Sequence, residues 1–440
     1  MLLKSFKVKI QHLAYHIVNS KMVRVVIGIL FLVGCSSIPY KSLRKETLKT
    51  FSSAKYAQQH TGFLVVDLES KDTLINLNAS KYFIPASTTK LFSFYTSLQL
   101  LEEQLPSLKY VNENNSLIAL ATGDPTWLHP YFRNEEPIQF LREQDSVLLF
   151  LDNFSGEKLG PGWAWEDYGY EFSTERSALP LFANTITLEG GDSLKTYPRY
   201  FSRHVEKQNG RPGRAWKSND FFVPETFQDT LNVPFITSSG LTLSLLSEYT
   251  GKNIRPLDSF PRKKWNILMG ISRDSVIKQM LWESDNFLAE QLMLSCSSTL
   301  SDTLSFEKTR DYILKNQFNT LKQKPRWVDG SGLSRYNLFT PNSMVRVLQK
   351  LYTETDTLQL FALMPHWDLN GTIPQKEIKQ PSFIRAKSGS MGNVYNLCGY
   401  LKTSSGKLLA FSFMNNHFQR PSSAVRKDMF DILTALYNSY

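Results

Sequence analysis

The sequence predicts an α+β fold, an antiparallel sheet flanked by helices, interrupted by a β-rich insertion. Three observations carry this. Strand-like and helix-like stretches occur at both ends of the chain, while residues 105–260 are rich in turns, aromatics, proline and glycine. Near the C-terminus one strand is followed by two more joined at a Ser-Gly turn, so part of the sheet is antiparallel. At 440 residues the chain is too long for one compact core. The expected division is 1–34 as a presequence, 35–55 as a tether, 56–104 with 261–440 as the main domain, and 105–260 as the insertion.

Residues 25–34, VVIGILFLVG, form an apolar run preceded by Lys21 and Arg24. The run is too short to span a bilayer and suits the core of an export signal. It ends in Leu32-Val33-Gly34-Cys35, which resembles the lipobox of bacterial lipoproteins. That resemblance implies cleavage before Cys35, lipidation of its thiol and a membrane-anchored chain facing the periplasm. Met22 would make a tidier start, and an uncleaved signal anchor is the alternative. The formal charge is +10, but Lys4, Lys7, Lys9, Lys21 and Arg24 supply half of it within residues that carry no acid. The remaining excess is ordinary and calls for no nucleic-acid partner. Absence of any apolar run of eighteen residues excludes a polytopic membrane protein. Cys296 and Cys398 read as buried free thiols, although an oxidising compartment would permit a bridge. His12 and His16 alone have ligand-like spacing, and they lie in the presequence, so no metal site is visible. No cofactor is called for either, since P-loop and G-x-G-x-x-G patterns are absent.

Along the exported part, Gly62-Phe63-Leu64-Val65-Val66-Asp67-Leu68 reads as a strand, followed by a second at 74–77. Pro85 introduces an apolar helix running to about Leu101. Helical spacing returns at 271–291 and from about Ser305. A strand at 383–387, a hairpin over 394–414 and an amphipathic helix at 422–436 complete the chain. Within the insertion, 203–217 is a basic stretch that could touch anionic envelope polymers, against the plainer reading of a solvated loop. Some of the many aromatics could stack on sugars, although most will be core.

Three short motifs carry chemistry. In Ser87-x-x-Lys90 a helical spacing of three puts the amine one turn from the hydroxyl, where a neutral lysine can take its proton. The same pattern occurs at Ser52/Lys55, Ser305/Lys308 and Ser404/Lys407; the place just after Pro85, opening a helix beside a strand, distinguishes Ser87. Ser284-Asp285-Asn286 reads by itself as a helix N-cap, and Lys387-Ser388-Gly389 as the end of a strand. The order S-x-x-K, S-D-N, K-[ST]-G is the set of serine β-lactamases and penicillin-binding proteins.

Longer runs narrow the resemblance. PASTTKLF at 85–92, ATGDPTW at 121–127, SDNFLAEQL at 284–292, VDGSGLSRYN at 328–337 and AKSGSMGNV at 386–394 together resemble the class C, low-molecular-mass penicillin-binding proteins. These are D-alanyl-D-alanine carboxypeptidases/endopeptidases of the S13 type. The 197 residues from Ser87 to Ser284 leave room for the inserted domain of that family. The resemblance implies a penicillin-binding/β-lactamase-like transpeptidase domain, peptidoglycan stem peptides as substrate and β-lactam antibiotics as inhibitors. It makes Ser87 the nucleophile, Lys90 its base, Ser284 a proton relay and Asn286 a group that orients the substrate backbone. Lys387 is expected to lower the pKa of Lys90 and, with Ser388, to hold the substrate carboxylate. Gly389 lies beside them, and the backbone N–H groups of Ser87 and Ser390 form the oxyanion hole. The run 329–335 is expected to be a glycine-shaped loop at the edge of the site, without a catalytic role. Two other readings stay open: a sensor that acylates without turnover, and a β-lactamase or esterase with the same Ser-Lys pair. The long interval between motifs and the missing Glu-x-x-Leu-Asn run of class A β-lactamases disfavour the latter.

Overall fold

A computed structural model describes residues 37–259, 264–378 and 382–440, so the expectations attached to Met22 and Cys35 lie outside the described residues. The main sheet is antiparallel with five strands, in the order Ile384–Met391, Val394–Lys402, Leu408–Asn416, His60–Asp67 and Thr73–Leu77. The two N-terminal strands thus complete a sheet that the C-terminal three begin. Alternate side chains point to opposite faces, and both faces are covered, so the strand His60–Asp67 is buried nearly throughout. Phe63 and Val65 face a core with Trp367, Phe411 and Leu433, while Leu64 and Val66 face another with Phe92, Leu288 and Leu348. The helix Ser422–Ser439 covers the first face. Helices Lys90–Leu100, Asn286–Leu300 and Pro341–Glu354 cover the second.

The middle of the chain builds a separate five-stranded mixed sheet, ordered Ile254–Pro256, Val147–Phe150, Ser116–Ala121, Gln104–Glu113 and Asn266–Ser272. Its core gathers Leu108, Leu149, Ile186, Phe221 and Leu246. This texture is β-rich, yet it also holds the helices Glu136–Arg142 and Ser239–Thr250. The sheet continues past residue 260, because Asn266–Ser272 pairs with Gln104–Glu113. One helix belongs to both cores. On Asn286–Leu300, Leu288 and Leu292 pack into the main core and Leu294 into the other. A functional group at the start of that helix therefore sits at the seam between them.

Two stretches differ from expectation. The polar run read as a tether forms the helix Ser37–Phe51, with Thr47 and Phe51 buried. Only a narrow stripe is covered, so the sequence shows little apolar periodicity. Just beyond it, Lys55 Nζ and Tyr56 Oη reach Asp428 at 2.5 and 2.9 Å and fasten this end to the C-terminal helix. Helical spacing at 271–291 is not one helix but two, Arg273–Trp282 and Asn286–Leu300, separated by a break. Among the described residues, Cys296 and Cys398 are free and buried, and no helix is long and apolar enough to cross a membrane.

Candidate active site

Ser87 lies in a single 3-10 turn, Ala86–Thr89, that runs directly into the helix Lys90–Leu100. Side chains three apart eclipse one another in 3-10 geometry, which brings Lys90 Nζ to 3.1 Å from Ser87 Oγ. Thr88 and Thr89 donate to the carbonyls of Pro85 and Ala86, tightening the turn. Buried Asn396, on the strand Val394–Lys402, donates to the carbonyls of Ile84 and Pro85. The turn is thereby pinned to the sheet, and Ser87 is half-buried among buried neighbours.

Lys90 is wholly buried. Its Nζ also contacts Asn286 Oδ1 at 2.6 Å and the Ser331 carbonyl at 2.8 Å. Burial lowers its pKa to about 8, against the opposing pull of Asp285, Asp329 and Glu290. Those carboxylates are structural members of the floor. Asp329 accepts from the N–H groups of Gly332 and Ser334, from Asn337 Nδ2 and from Trp163 Nε1. Glu290 accepts from Ser331 N at 2.8 Å and pairs with Arg176 at 3.4 Å, both side chains being buried. The loop expected at the edge of the site thus reaches under it. Gly332 has φ +84°, and a Cβ there would lie 1.9 Å from the Ala86 carbonyl, so only glycine allows this approach.

The second motif occupies the helix break. Ser284 has φ +58°, and Asp285 caps the following helix by accepting from Leu288 N at 2.9 Å. The capping role and the placement of Ser284 are one device, since the reversal turns its hydroxyl toward Lys387 Nζ, 2.9 Å away. Asn286 Nδ2 donates to the Phe172 carbonyl while Oδ1 accepts from Lys90. An amide nitrogen has two protons, so one stays available to a substrate.

Lys387 is buried on the strand Ile384–Met391 and also donates to the Ser388 carbonyl. Burial first, and the charge of Lys90 second, push its pKa well below the ordinary value. Repulsion between the two amines is mutual, so the same closeness that disfavours the Lys387 cation is what would let Lys387 depress Lys90. Lys90 also has three carboxylates favouring its charge, which offset part of its burial. Ser388 Oγ lies 3.3 Å from Thr372 Oγ1. Gly389 passes so close to the nucleophile turn that a Cβ would sit 2.6 Å from the Pro85 carbonyl and 2.9 Å from Ser87 N. Ser390 is exposed and lines a cleft of about 360 Å³ with Ser87, Ser284, Asn286 and Phe172. Asp167 and Arg335 line it too; burial raises the Asp167 pKa while Arg335 lowers it.

All the sequence-predicted residues described here, Ser87, Lys90, Ser284, Asn286, Lys387, Ser388, Gly389 and Ser390, fall in this one region. Glu290, Arg176 and Thr372 were missed as parts of it, while Asp329 and Ser331 belong to the run expected at its edge and lie under it instead. Glu290 had a signal, standing one helical turn after Asn286 on the same face.

A family model for D-Ala-D-Ala carboxypeptidase 3 (S13) matches residues 49–193 and 274–436. The D-alanyl-D-alanine carboxypeptidase DacB of Haemophilus influenzae is 24% identical over 416 residues, spanning 81% of this chain and 86% of that protein. The carboxypeptidase Rv3627c of Mycobacterium tuberculosis is 22% identical over 366 residues, 76% of this chain and 71% of its own length. In fold, the crystal structure of penicillin binding protein 4 from H. influenzae superposes with a TM-score of 0.69 at 19% identity, covering 87% of this chain and 97% of that one. With the motifs gathered in one cleft and the match extending over most of its length, this chain belongs to the D-Ala-D-Ala carboxypeptidase 3 (S13) family.

Proposed function

We propose that Ser87, Lys90, Ser284 and Lys387 form the catalytic centre of a serine-type D-Ala-D-Ala carboxypeptidase/endopeptidase. Membership of the family makes the chain a D-Ala-D-Ala carboxypeptidase, a penicillin-binding hydrolase of peptidoglycan in the bacterial envelope. The residue roles are our own reading. Ser87 Oγ attacks the carbonyl between two D-alanines of a stem peptide, and its proton passes to neutral Lys90. The new oxyanion lies against the N–H groups of Ser87 and Ser390, each such donor contributing about 3 kcal/mol to barrier lowering. Ser284, hydrogen-bonded to Lys387, delivers a proton to the leaving amine as the C–N bond breaks. Ser284 recovers the proton that Lys90 took from Ser87, which leaves Lys90 neutral again. Water then attacks the ester, its proton passing through Lys90 to Ser87 Oγ as the ester bond breaks, and the shortened peptide leaves. Lys387 and Ser388 receive the terminal carboxylate, and the free proton of Asn286 Nδ2 meets the substrate backbone. The Asp167–Arg335 end of the cleft suits a side chain that carries both charges.

The observation that carries this reading is the buried Lys90 amine 3.1 Å from a half-buried serine hydroxyl, with a pKa brought down to about 8. We further propose that residues 56–103 and 273–440 act as the peptidase body, that the segment from Gln104 to the strand Asn266–Ser272 forms its insertion, and that a lipid on Cys35 holds the protein at the membrane facing the periplasm. The helix Ser37–Phe51, docked on the body, then keeps the enzyme close to that surface.

The test is intact mass over time after mixing the soluble chain with benzylpenicillin, with Ser87→Ala in parallel. A stoichiometric adduct lasting many minutes and absent from the variant is expected, together with release of D-alanine from a stem pentapeptide. An adduct without D-alanine release would favour a sensor. Drug consumed without a lasting adduct would make the enzyme a β-lactamase.

A further inference from the structure

The segment 163–172 has two sides. Asp167 and Phe172 line the cleft that holds Ser87. On the same short stretch, Trp165 and Tyr170 stand outside it, 76% and 55% exposed. Trp216, 54% exposed, comes from the basic stretch 203–217 and meets Trp165 with ring centroids 6.0 Å apart. Tyr168 supports Trp216 from beside it at 4.9 Å.

This surface is braced from below. Tyr168 donates to Glu175 at 3.1 Å, and the Arg214 guanidinium lies 4.8 Å from the Tyr168 ring centroid. Arg214 in turn donates to the carbonyls of Pro234, Ala215 and Ser218. Two tryptophans are therefore displayed to solvent on a fixed base rather than folded into the core. Leaving indoles exposed forgoes burial that stabilises a fold, and apolar patches of this kind mark recognition surfaces. An indole face suits the flat C–H face of a pyranose ring, and its rim accommodates hydroxyl and acetamido groups. Arg211 and Lys217, exposed on the same stretch, supply positive charge for an acidic polymer.

We propose that Trp165 and Trp216 form a stacking surface for the saccharide part of the substrate, the N-acetylhexosamine strand from which stem peptides hang. The inference rests on the peptidase reading above, because continuity with the Ser87 cleft is what joins glycan to peptide. It assigns the aromatic surface of the insertion to holding polymeric wall rather than free peptide.

The test compares Trp165→Ala/Trp216→Ala with the unaltered chain on three probes. The first is the tetrasaccharide of N-acetylglucosamine, followed by intrinsic fluorescence, which needs no catalysis. The others are a free stem pentapeptide and the same peptide on its N-acetylglucosaminyl-N-acetylmuramoyl disaccharide. Tetrasaccharide binding is expected in the unaltered chain and lost in the variant. On the glycan-linked peptide, kcat/KM should fall about tenfold through KM, the scale of one or two stacking contacts. Turnover of free pentapeptide should stay unchanged. Trp165→Tyr/Trp216→Tyr, which keeps the rings, should restore most of the loss. No tetrasaccharide binding, or equal losses on both peptides, would overturn the proposal while leaving the peptidase reading standing. Tetrasaccharide binding that needs both tryptophans, in a chain that hydrolyses neither peptide, would support the surface and sink the peptidase reading instead.

Discussion

Two buried lysines, each against a serine hydroxyl, face opposite electrostatic surroundings. Lys90 stands over a floor in which Asp285, Asp329 and Glu290 all favour its charge, and its pKa still falls to about 8. Lys387 has its charge disfavoured both by burial and by Lys90. The contrast supports the proposed roles. A base must shed its proton near working pH yet hold one once it has taken it, and the carboxylate floor supports that return. A carboxylate receptor should be short of negative charge until the substrate brings it. Lys387, destabilised as a cation in the free site, gains most from an incoming anion.

The largest test of this division is Lys90→Met. Acylation by benzylpenicillin should drop by between about 10² and 10⁴, the usual weight of a positioned general base. In the unaltered enzyme the second-order acylation rate should rise with pH and level off above about 8, because only neutral Lys90 can accept the proton. The variant's residual rate should lose that limb. A persisting limb at the same pH would assign the titration to another group.

Next comes the floor. Glu290→Gln keeps the acceptor for Ser331 N but leaves Arg176 as an unpaired buried cation. Breaking one side of such a pair costs about 3–5 kcal/mol, so denaturant unfolding should show a loss of that order. It also removes a charge that raises the Lys90 pKa, and the limb of the pH profile should move to lower pH. Loss of stability with an unmoved limb would show that Glu290 is scaffold alone.

What the sequence revealed follows from how local each feature is. The proposed lysine base lies three residues from its serine, and the decoys with the same spacing separate only in three dimensions. Ser305 caps its helix by accepting from Lys308 N, Lys55 runs out to Asp428, and Lys407 lies over the Tyr440 ring. Burial of Lys90 is what none of them shares, and burial is not written in a four-residue pattern. The floor was harder still. Arg176 and Glu290 are 114 residues apart and meet only because the helix Asn286–Leu300 is a wall of both cores. Strand alternation and helical spacing sufficed for the main sheet and its cover. They failed at 37–51, where one face of a polar helix is held by contacts with the last helix rather than by an apolar stripe.

A smaller effect is expected at the receptor. Lys387→Met should raise KM for a carboxylate-ended stem peptide by about tenfold to a hundredfold, the range of one hydrogen bond to a charged group. It should matter much less for the same peptide ended as an amide, where no anion is offered. Ser284 loses its partner in either case, so a common fall in kcat on both peptides measures the relay, and the difference in KM measures the receptor. Equal KM changes on the two peptides would contradict the assignment.

The finest consequence is a proton. If the free site disfavours the Lys387 cation and a carboxylate restores it, binding draws a proton from solution across the pH range in which the free amine titrates. Lys90 also lies below its ordinary value, at about 8, so the amide-ended peptide and the Lys387→Met background are what separate its uptake from that of Lys387. Ser87→Ala removes turnover and leaves both lysines, so calorimetric titration of a D-alanine-ended peptide can be run at equilibrium. Enthalpies measured in buffers of different ionisation heat should differ by an uptake of up to about one proton, by linkage of the shifted group to the ligand. The uptake should vanish with the amide-ended peptide and in Ser87→Ala/Lys387→Met. Buffer-independent enthalpy with the carboxylate-ended peptide would mean that Lys387 is already charged before substrate arrives, and the contrast between the two lysines would fail.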